Sequence, residues 1–308
     1  MHCPACGAET GAFVAYYAAM KAPHSNEILD ASLALANTHY ENFPVASVLL
    51  PRCYREPIGL IYAFARQADD FADEGDLSAE QRLDLLNGFR QELDRIESNA
   101  LPETAFFIEL GEMIKTHELP VQLFRDLLDA FSQDVVKTRY ANFAEVMDYC
   151  RRSANPIGRL LLHVYKQATP ENLASSDAIC SALQIINFQQ DVAIDYRKNR
   201  IYFPLDEMHE YGISEAQIAA GDISGNWQPF MRFQIERVWQ MMHSGAPLGL
   251  KLPGRIGLEL RTVIAGGERI LQKLRVSQGD MFRHRPILKW HDWSCMLSRA
   301  IIRKGYNP

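Results

Sequence analysis

Two rows of oxygen-bearing side chains, each spaced by four residues, constrain this chain more than any other feature. One row is Asp69 and Asp73; the other is Asn187, Asp191 and Asp195. A spacing of four stacks side chains along one face of an α-helix, with neighbours about 6 Å apart. The run before the longer row, Ile179 to Ile186, is largely apolar, and so is Gly59 to Ala65 before the shorter one. Both rows therefore end helices that are packed on most sides. A buried ladder of acids needs a counter-charge. A hard divalent cation supplies one through oxygen ligands and also bridges to phosphate oxygens. Arg197, Lys198 and Arg200 follow the longer row directly, as a site for a polyanion requires.

Helical patterning extends from Asn26 to near the C-terminus. Glu27 to His39 reads as a first helix, broken at Asn42-Phe43-Pro44. Pro57 sits at a favourable first helical position and opens Ile58 to Glu74. Ser78 with Gln81 forms a capping box for a helix to Ser98. Helices follow at 103–116, 120–136, 143–153, 156–167, 176–195, 226–243 and 254–276, and Pro286 opens the last, to Ile302. No run of alternating β-branched residues competes with this reading. The expectation is one all-α domain over 26–308, a single-domain helical bundle. Residues 1–25 form an extension in which Cys3 and Cys6 make a C-x-x-C. That is half the ligand set of a structural zinc site, and no second pair follows.

Composition excludes several classes. Of 308 residues, 47% are hydrophobic and 23% charged, the balance of a soluble globular protein, and the net charge of −6 argues against a nucleic-acid binder. No apolar run reaches the roughly 18 residues of a spanning helix. Met1 to Thr10 lacks the basic start and apolar centre of a secretory signal. Six cysteines without a disulfide framework point to a reducing, cytoplasmic setting.

Two acid rows on facing helices of a bundle make a metal and phosphate site. Such a pair holds two or three Mg²⁺ ions on a diphosphate and offsets the charge that grows as a C–O bond breaks. The carbocation left behind needs a dry, aromatic-lined cavity. Phe43, Tyr62, Phe64, Tyr149 and Phe188 are candidates for its lining, each of which serves equally well as plain core. The segment 39–44 and the joint 149–159 offer further polar groups, and Arg283-His284-Arg285 reads as a solvated turn.

These residues resemble the squalene/phytoene synthase family. The first signature matches Tyr62, Arg66, Asp69 and Asp73. The second matches Gln184, Asn187, Asp191 and Asp195, followed by Arg200-Ile201-Tyr202-Phe203-Pro204. The resemblance implies an all-α isoprenoid synthase bundle with a central active-site cavity. It implies that Asp69, Asp73, Asn187, Asp191 and Asp195 bind Mg²⁺ and diphosphate. Contacts to the prenyl diphosphate are expected from His39, Tyr40, Glu41, Asn42, Phe43, Tyr62, Arg66, Gln184, Lys198, Arg200 and Tyr202. Tyr149 and Asn155 are candidates for positioning a water.

Within the family, Asn42 to Ser47, Ser153 to Pro156 and Asn187 to Val192 resemble the bacterial hopanoid-pathway hydroxysqualene synthases. That branch ionises presqualene diphosphate, rearranges the cation and lets water capture it, without NADPH. Relatives that condense two substrates often carry an Arg before the middle acid and an acid before the last; here those positions are Gln190 and Ile194. A further departure is Gly279, near a position where relatives often have Tyr. The alternatives are condensation of two prenyl diphosphates to presqualene diphosphate, squalene or phytoene, and a non-catalytic assembly factor of the same superfamily. A C30 substrate is compatible with peripheral contact at the inner membrane face and with hand-over from other pathway enzymes.

Overall fold

The computed structural model describes residues 51–302, and among them every regular element is a helix. These residues fall into two compact units, 52–136 and 137–302. The extension 1–25, its C-x-x-C, and the expected helix 27–39 lie outside the described residues.

The first unit holds α1 (Arg52–Asp73), α2 (Ala79–Glu97), α3 (Ala105–His117) and α4 (Val121–Val136). Its core is phenylalanine-rich. Phe64 is fully buried, with ring centroids 5.4, 6.2 and 5.1 Å from Phe89, Phe107 and Phe124. Of the two readings open for Phe64, cavity lining and plain core, the structure shows the second. Residues two apart on a helix point about 200° away from each other, so Phe64 and Tyr62 cannot line the same surface. The capping box at Ser78 forms as expected. One correction concerns α1, which starts at Arg52 and carries Pro57 inside it. The missing N–H at Pro57 forfeits one hydrogen bond to the carbonyl four residues back, and burial of Ile58, Leu60 and Ile61 offsets that loss.

The second unit holds α5 (Phe143–Ser153), α6 (Asn155–Val164), α7 (Pro170–Arg197), α8 (Leu205–Glu210), α9 (Glu215–Ala220), α10 (Trp227–Gly245), α11 (Leu248–Lys251), α12 (Gly254–Val276) and α13 (Trp290–Ile302). The 28-residue α7 is its spine, packing most extensively on α10 and also on α5, α6 and α12. It begins at Pro170, earlier than the expected Ser176. Thr169 caps it by accepting from the Asn172 N–H at 3.3 Å, with Pro170 at the first helical position. The final helix starts at Trp290 and not at Pro286. Lys273 Nζ holds the Ile287 carbonyl at 2.6 Å, and the Asp292 carboxylate takes the Lys289 N–H at 2.7 Å, so helix formation waits until that cap is made. Gly279 has φ +77, and a Cβ there would lie 2.6 Å from Met231 Cγ. Its carbonyl accepts from Trp227 Nε1 at 2.9 Å. A tyrosine does not fit that position in this chain.

Candidate active site

The longer acid row lies on α7. Gln184, Asn187, Asp191 and Asp195 are half-buried, while Phe188 and Val192 beside them are buried. The C-terminus of α7 is shaped by Asn199, whose φ of 59 reverses the chain. The Arg200 N–H then bonds back to the Asp195 carbonyl at 2.8 Å. From there the R-x-Y-F-P stretch runs beside residues 138–141. Ile201 N–H donates to Thr138 at 3.0 Å and Leu205 N–H to Tyr140 at 2.9 Å. Arg139 fastens this turn. Its Nη1 donates to the Asn199 carbonyl at 2.6 Å, and its Nε and Nη2 each reach the Glu215 carboxylate at 2.8 Å. These bonds fix Arg200 and Tyr202 at the acid end of α7. Lys198 caps the helix there and is exposed.

Beside the acids stands an aromatic wall. Tyr202 stacks on Phe188 with ring centroids 3.7 Å apart and planes 2° from parallel. Tyr149, from α5, lies 5.9 Å from both rings and is buried. Tyr140 completes the group, 5.5 Å from Tyr202 and 5.8 Å from Tyr149. Sequence reasoning missed Tyr140, which belongs to no helix and shows no spacing signal. Asn155 is tied down in a different way. Its side-chain oxygen accepts from Ser181 Oγ at 2.8 Å, joining α6 to α7 in a buried setting.

Arg285 and Gln190 join the acid row to the segment before the last helix. Arg285 meets Asp191 with two bonds, Nε to Oδ1 and Nη2 to Oδ2, the second at 3.0 Å. Gln190 Nε2 donates to the Pro286 carbonyl at 2.5 Å. The turn at 283–285 is thus only partly the solvated one expected. Arg283 is exposed and pairs with Asp280 at 2.7 Å, but Arg285 folds back onto α7.

In the first unit, Tyr62, Arg66, Asp69 and Asp73 share one face of α1 and are half-buried. Arg66 pairs with Asp70 at 2.8 Å and more loosely with Asp69 at 3.9 Å, so Asp70 also belongs to this face. Arg82 closes the end of α1 with bonds to the carbonyls of Phe71, Glu74 and Gly75 at 3.0, 3.0 and 2.7 Å. The expected contacts His39, Tyr40, Glu41, Asn42 and Phe43 lie outside the described residues.

Among the described residues, no three His, Cys, Asp or Glu side chains converge into a ready-made metal cage. The donor set nonetheless fits Mg²⁺. Every donor is an oxygen, and Mg²⁺ characteristically takes one or two carboxylates and completes its octahedron with water and substrate phosphate.

The chain is similar to known proteins. The sequence profile of squalene/phytoene synthase matches residues 36–293. A hydroxysqualene synthase from Zymomonas mobilis is 41% identical over 218 residues, 69% of this chain and 70% of that one. A hydroxysqualene synthase from Rhodopseudomonas palustris is 34% identical over 274 residues, 87% of this chain and 91% of that one. Among solved structures, a squalene synthase from Alicyclobacillus acidocaldarius superposes with a TM-score of 0.75 at 31% identity, covering 82% of this chain and 94% of the other.

Proposed function

The chain belongs to the squalene/phytoene synthase family, divalent-metal-dependent isoprenoid synthases that act on prenyl diphosphates, and on that premise we propose that it is a Mg²⁺-dependent hydroxysqualene synthase. Its substrate is presqualene diphosphate. The C–O bond to diphosphate breaks, the cyclopropylcarbinyl cation rearranges, and a water oxygen bonds to the product cation and gives up a proton. Diphosphate leaves and no reductant is consumed.

The observation that carries this reading is the aromatic wall beside the acid row. Stacking holds Phe188 and Tyr202 as one rigid aromatic unit beside the acid row, and the π density of aromatic rings stabilises a nearby cation most where water is excluded. Tyr149 adds a buried phenol to the same wall, a group able to orient one water while the rings exclude others. Asp69, Asp73, Asn187, Asp191 and Asp195 are the residues that hold two or three Mg²⁺ ions. Bound Mg²⁺ supplies charge neutralisation on the diphosphate as the C–O bond lengthens. Arg66, Lys198 and Arg200 bind the diphosphate oxygens. Gln184 and Asn187 contact the substrate from α7, and Tyr62 from α1. The 26–308 region serves as one catalytic domain.

Two measurements test the reading. Incubation with presqualene diphosphate and Mg²⁺, analysed by mass spectrometry, yields hydroxysqualene whether or not NADPH is present. Squalene formed only with NADPH, or any C30 product from farnesyl diphosphate alone, overturns it. Asp69→Asn and Asp191→Asn each abolish diphosphate release while the far-ultraviolet circular dichroism is kept. Near wild-type turnover in both removes the metal assignment.

No helix among the described residues is long and apolar enough to cross a membrane. Peripheral contact at the cytoplasmic membrane face is supported by α13, where Trp290, Ile301 and Ile302 are 85%, 63% and 58% exposed. Aromatic and aliphatic side chains of this kind insert at the headgroup boundary. Co-sedimentation with anionic vesicles that a Trp290→Ala/Ile301→Ser variant loses is the expected result; equal sedimentation of both proteins removes the proposal.

A further inference from the structure

Two adjacent residues of α7 grip two adjacent residues of the segment between α12 and α13. Gln190 takes the Pro286 carbonyl, and Asp191 takes the Arg285 guanidinium through both carboxylate oxygens. The neighbouring cation behaves differently. Arg283 points outward to Asp280, with 63% of its side chain exposed. The Arg285 and Asp191 side chains are 31% and 20% exposed, so their pairing is screened less than an ordinary surface pair.

We propose that Arg285 is a built-in competitor of the divalent metal for Asp191, and that metal binding releases the 283–286 turn from α7. This rests on the reading of Asp191 as a metal ligand. A bidentate guanidinium engages both oxygens of the carboxylate. A Mg²⁺ ion about 2.1 Å from one of those oxygens would stand a few ångströms from the guanidinium charge, where two cations repel strongly in a half-buried setting. Arginine does not relieve that repulsion by losing its proton, because the guanidinium stays protonated in proteins. The side chain has to move. Its motion is channelled by the anchors on the far side of the turn. Lys273 holds the Ile287 carbonyl, and Asp292 holds the Lys289 N–H, so the end next to α13 stays in place. On the near side the turn is anchored as far as Phe282, since Met281 is buried and the Phe282 ring lies 5.2 Å from Trp227, so the movable part is 283–286, which Gln190 also holds through the Pro286 carbonyl. Arg285 thereby keeps Asp191 charge-balanced and oriented until a metal takes it, and it couples occupancy of the α7 row to the position of the turn before the last helix.

The experiment uses the full chain without substrate and Mn²⁺ as the probe, with affinity followed by the loss of the free Mn²⁺ paramagnetic signal. Arg285→Gln binds Mn²⁺ about tenfold more tightly than wild type, in keeping with release of a charge-assisted bidentate pair. Arg285→Lys, which keeps the charge but loses the fork, falls between them and serves should Arg285→Gln fold poorly. Arg283→Gln is unchanged, and Asp191→Asn binds more weakly. Hydrogen exchange supplies the second readout. Mn²⁺ speeds exchange of the 283–285 amides in wild type, while in Arg285→Gln they exchange fast from the start and do not respond. If Arg285→Gln binds Mn²⁺ no more tightly than wild type while Asp191→Asn still weakens it, competition is refuted and the metal assignment stands. If Asp191→Asn leaves affinity untouched, the metal assignment itself fails and the proposal falls with it.

Discussion

Gly245 ends α10 where that helix crosses α7, and replacing it with alanine tests how tightly the acid-bearing helix is held. An added Cβ would lie 2.4 Å from the Ser175 carbonyl oxygen, 2.7 Å from Ile179 Cγ1 and 3.2 Å from Ile179 N. Two of these three atoms are helix backbone, so no rotamer change relieves the clash. Reaching an ordinary separation of about 3.5 Å requires the helices to part by about 1 Å at that point. Overpacking of this kind costs about 1–3 kcal/mol. For a protein of this size that lowers Tm by roughly 2–5 °C. Ser175 and Asp191 are sixteen residues apart on α7, about 24 Å along the axis, so the chemistry should be spared. The assay is thermal unfolding by circular dichroism, paired with diphosphate release at 20 °C. A control is Gly88→Ala on α2, where nothing lies within 4 Å of the added Cβ; it should raise stability by about 0.4–1 kcal/mol. An unchanged Tm for Gly245→Ala, or a drop equal to that of an arbitrary surface change, refutes the account of α7 packing.

Asp292→Asn should destabilise the protein by about 3 kcal/mol, the scale set by removing one partner of a buried charge cluster. Burial by itself pushes the Asp292 carboxyl up, but the bonds from Lys273 Nζ, the Lys289 N–H and Arg269 outweigh it and hold the group well below the usual carboxylate range. Because the folded group is the more acidic one, its stabilisation is complete above the unfolded pKa of about 4 and drains away as the pH falls further. Urea unfolding at pH 7, 4 and 3 should therefore show the gap between wild type and variant shrinking below pH 4; a constant gap contradicts the assignment. Iodoacetamide at pH 8 should label Cys53 and Cys295, which are exposed, while Cys150 stays unmodified until the protein unfolds, because burial pushes its thiol up to about 12. Peptide mapping reads both, and rapid labelling of Cys150 in the native state is the contrary result.

Much of the fold was legible residue by residue. The capping box at Ser78 and the apolar spacing of α2, α4 and α12 are local signals, and local signals survive packing. The start of α7 was equally local, since Thr169 followed by Pro170 is a helix-start pattern, and it was overlooked because the apolar run begins later. Phe64 was also within reach, for its two-residue offset from Tyr62 puts it on the opposite side of α1. Tyr140 and Arg285 were not. Tyr140 sits in a stretch without periodicity, and its partner Tyr202 comes 62 residues later in the sequence. Arg285 lies 94 residues from Asp191 and looks, in sequence, like the solvated Arg283 two positions away.

The sequence by itself determined that two helices carry rows of oxygen donors, that the chain after the longer row is basic, and that aromatic residues accompany both. A four-residue spacing has one geometric meaning on a helix whatever surrounds it. Only the tertiary structure decided which of those donors are already engaged. It set Phe188 against Tyr202, turned Phe64 into core, closed Gly279 to any larger side chain, and brought Arg285 onto Asp191. Those outcomes depend on how distant segments pack, and no spacing rule along the chain encodes a contact made across it.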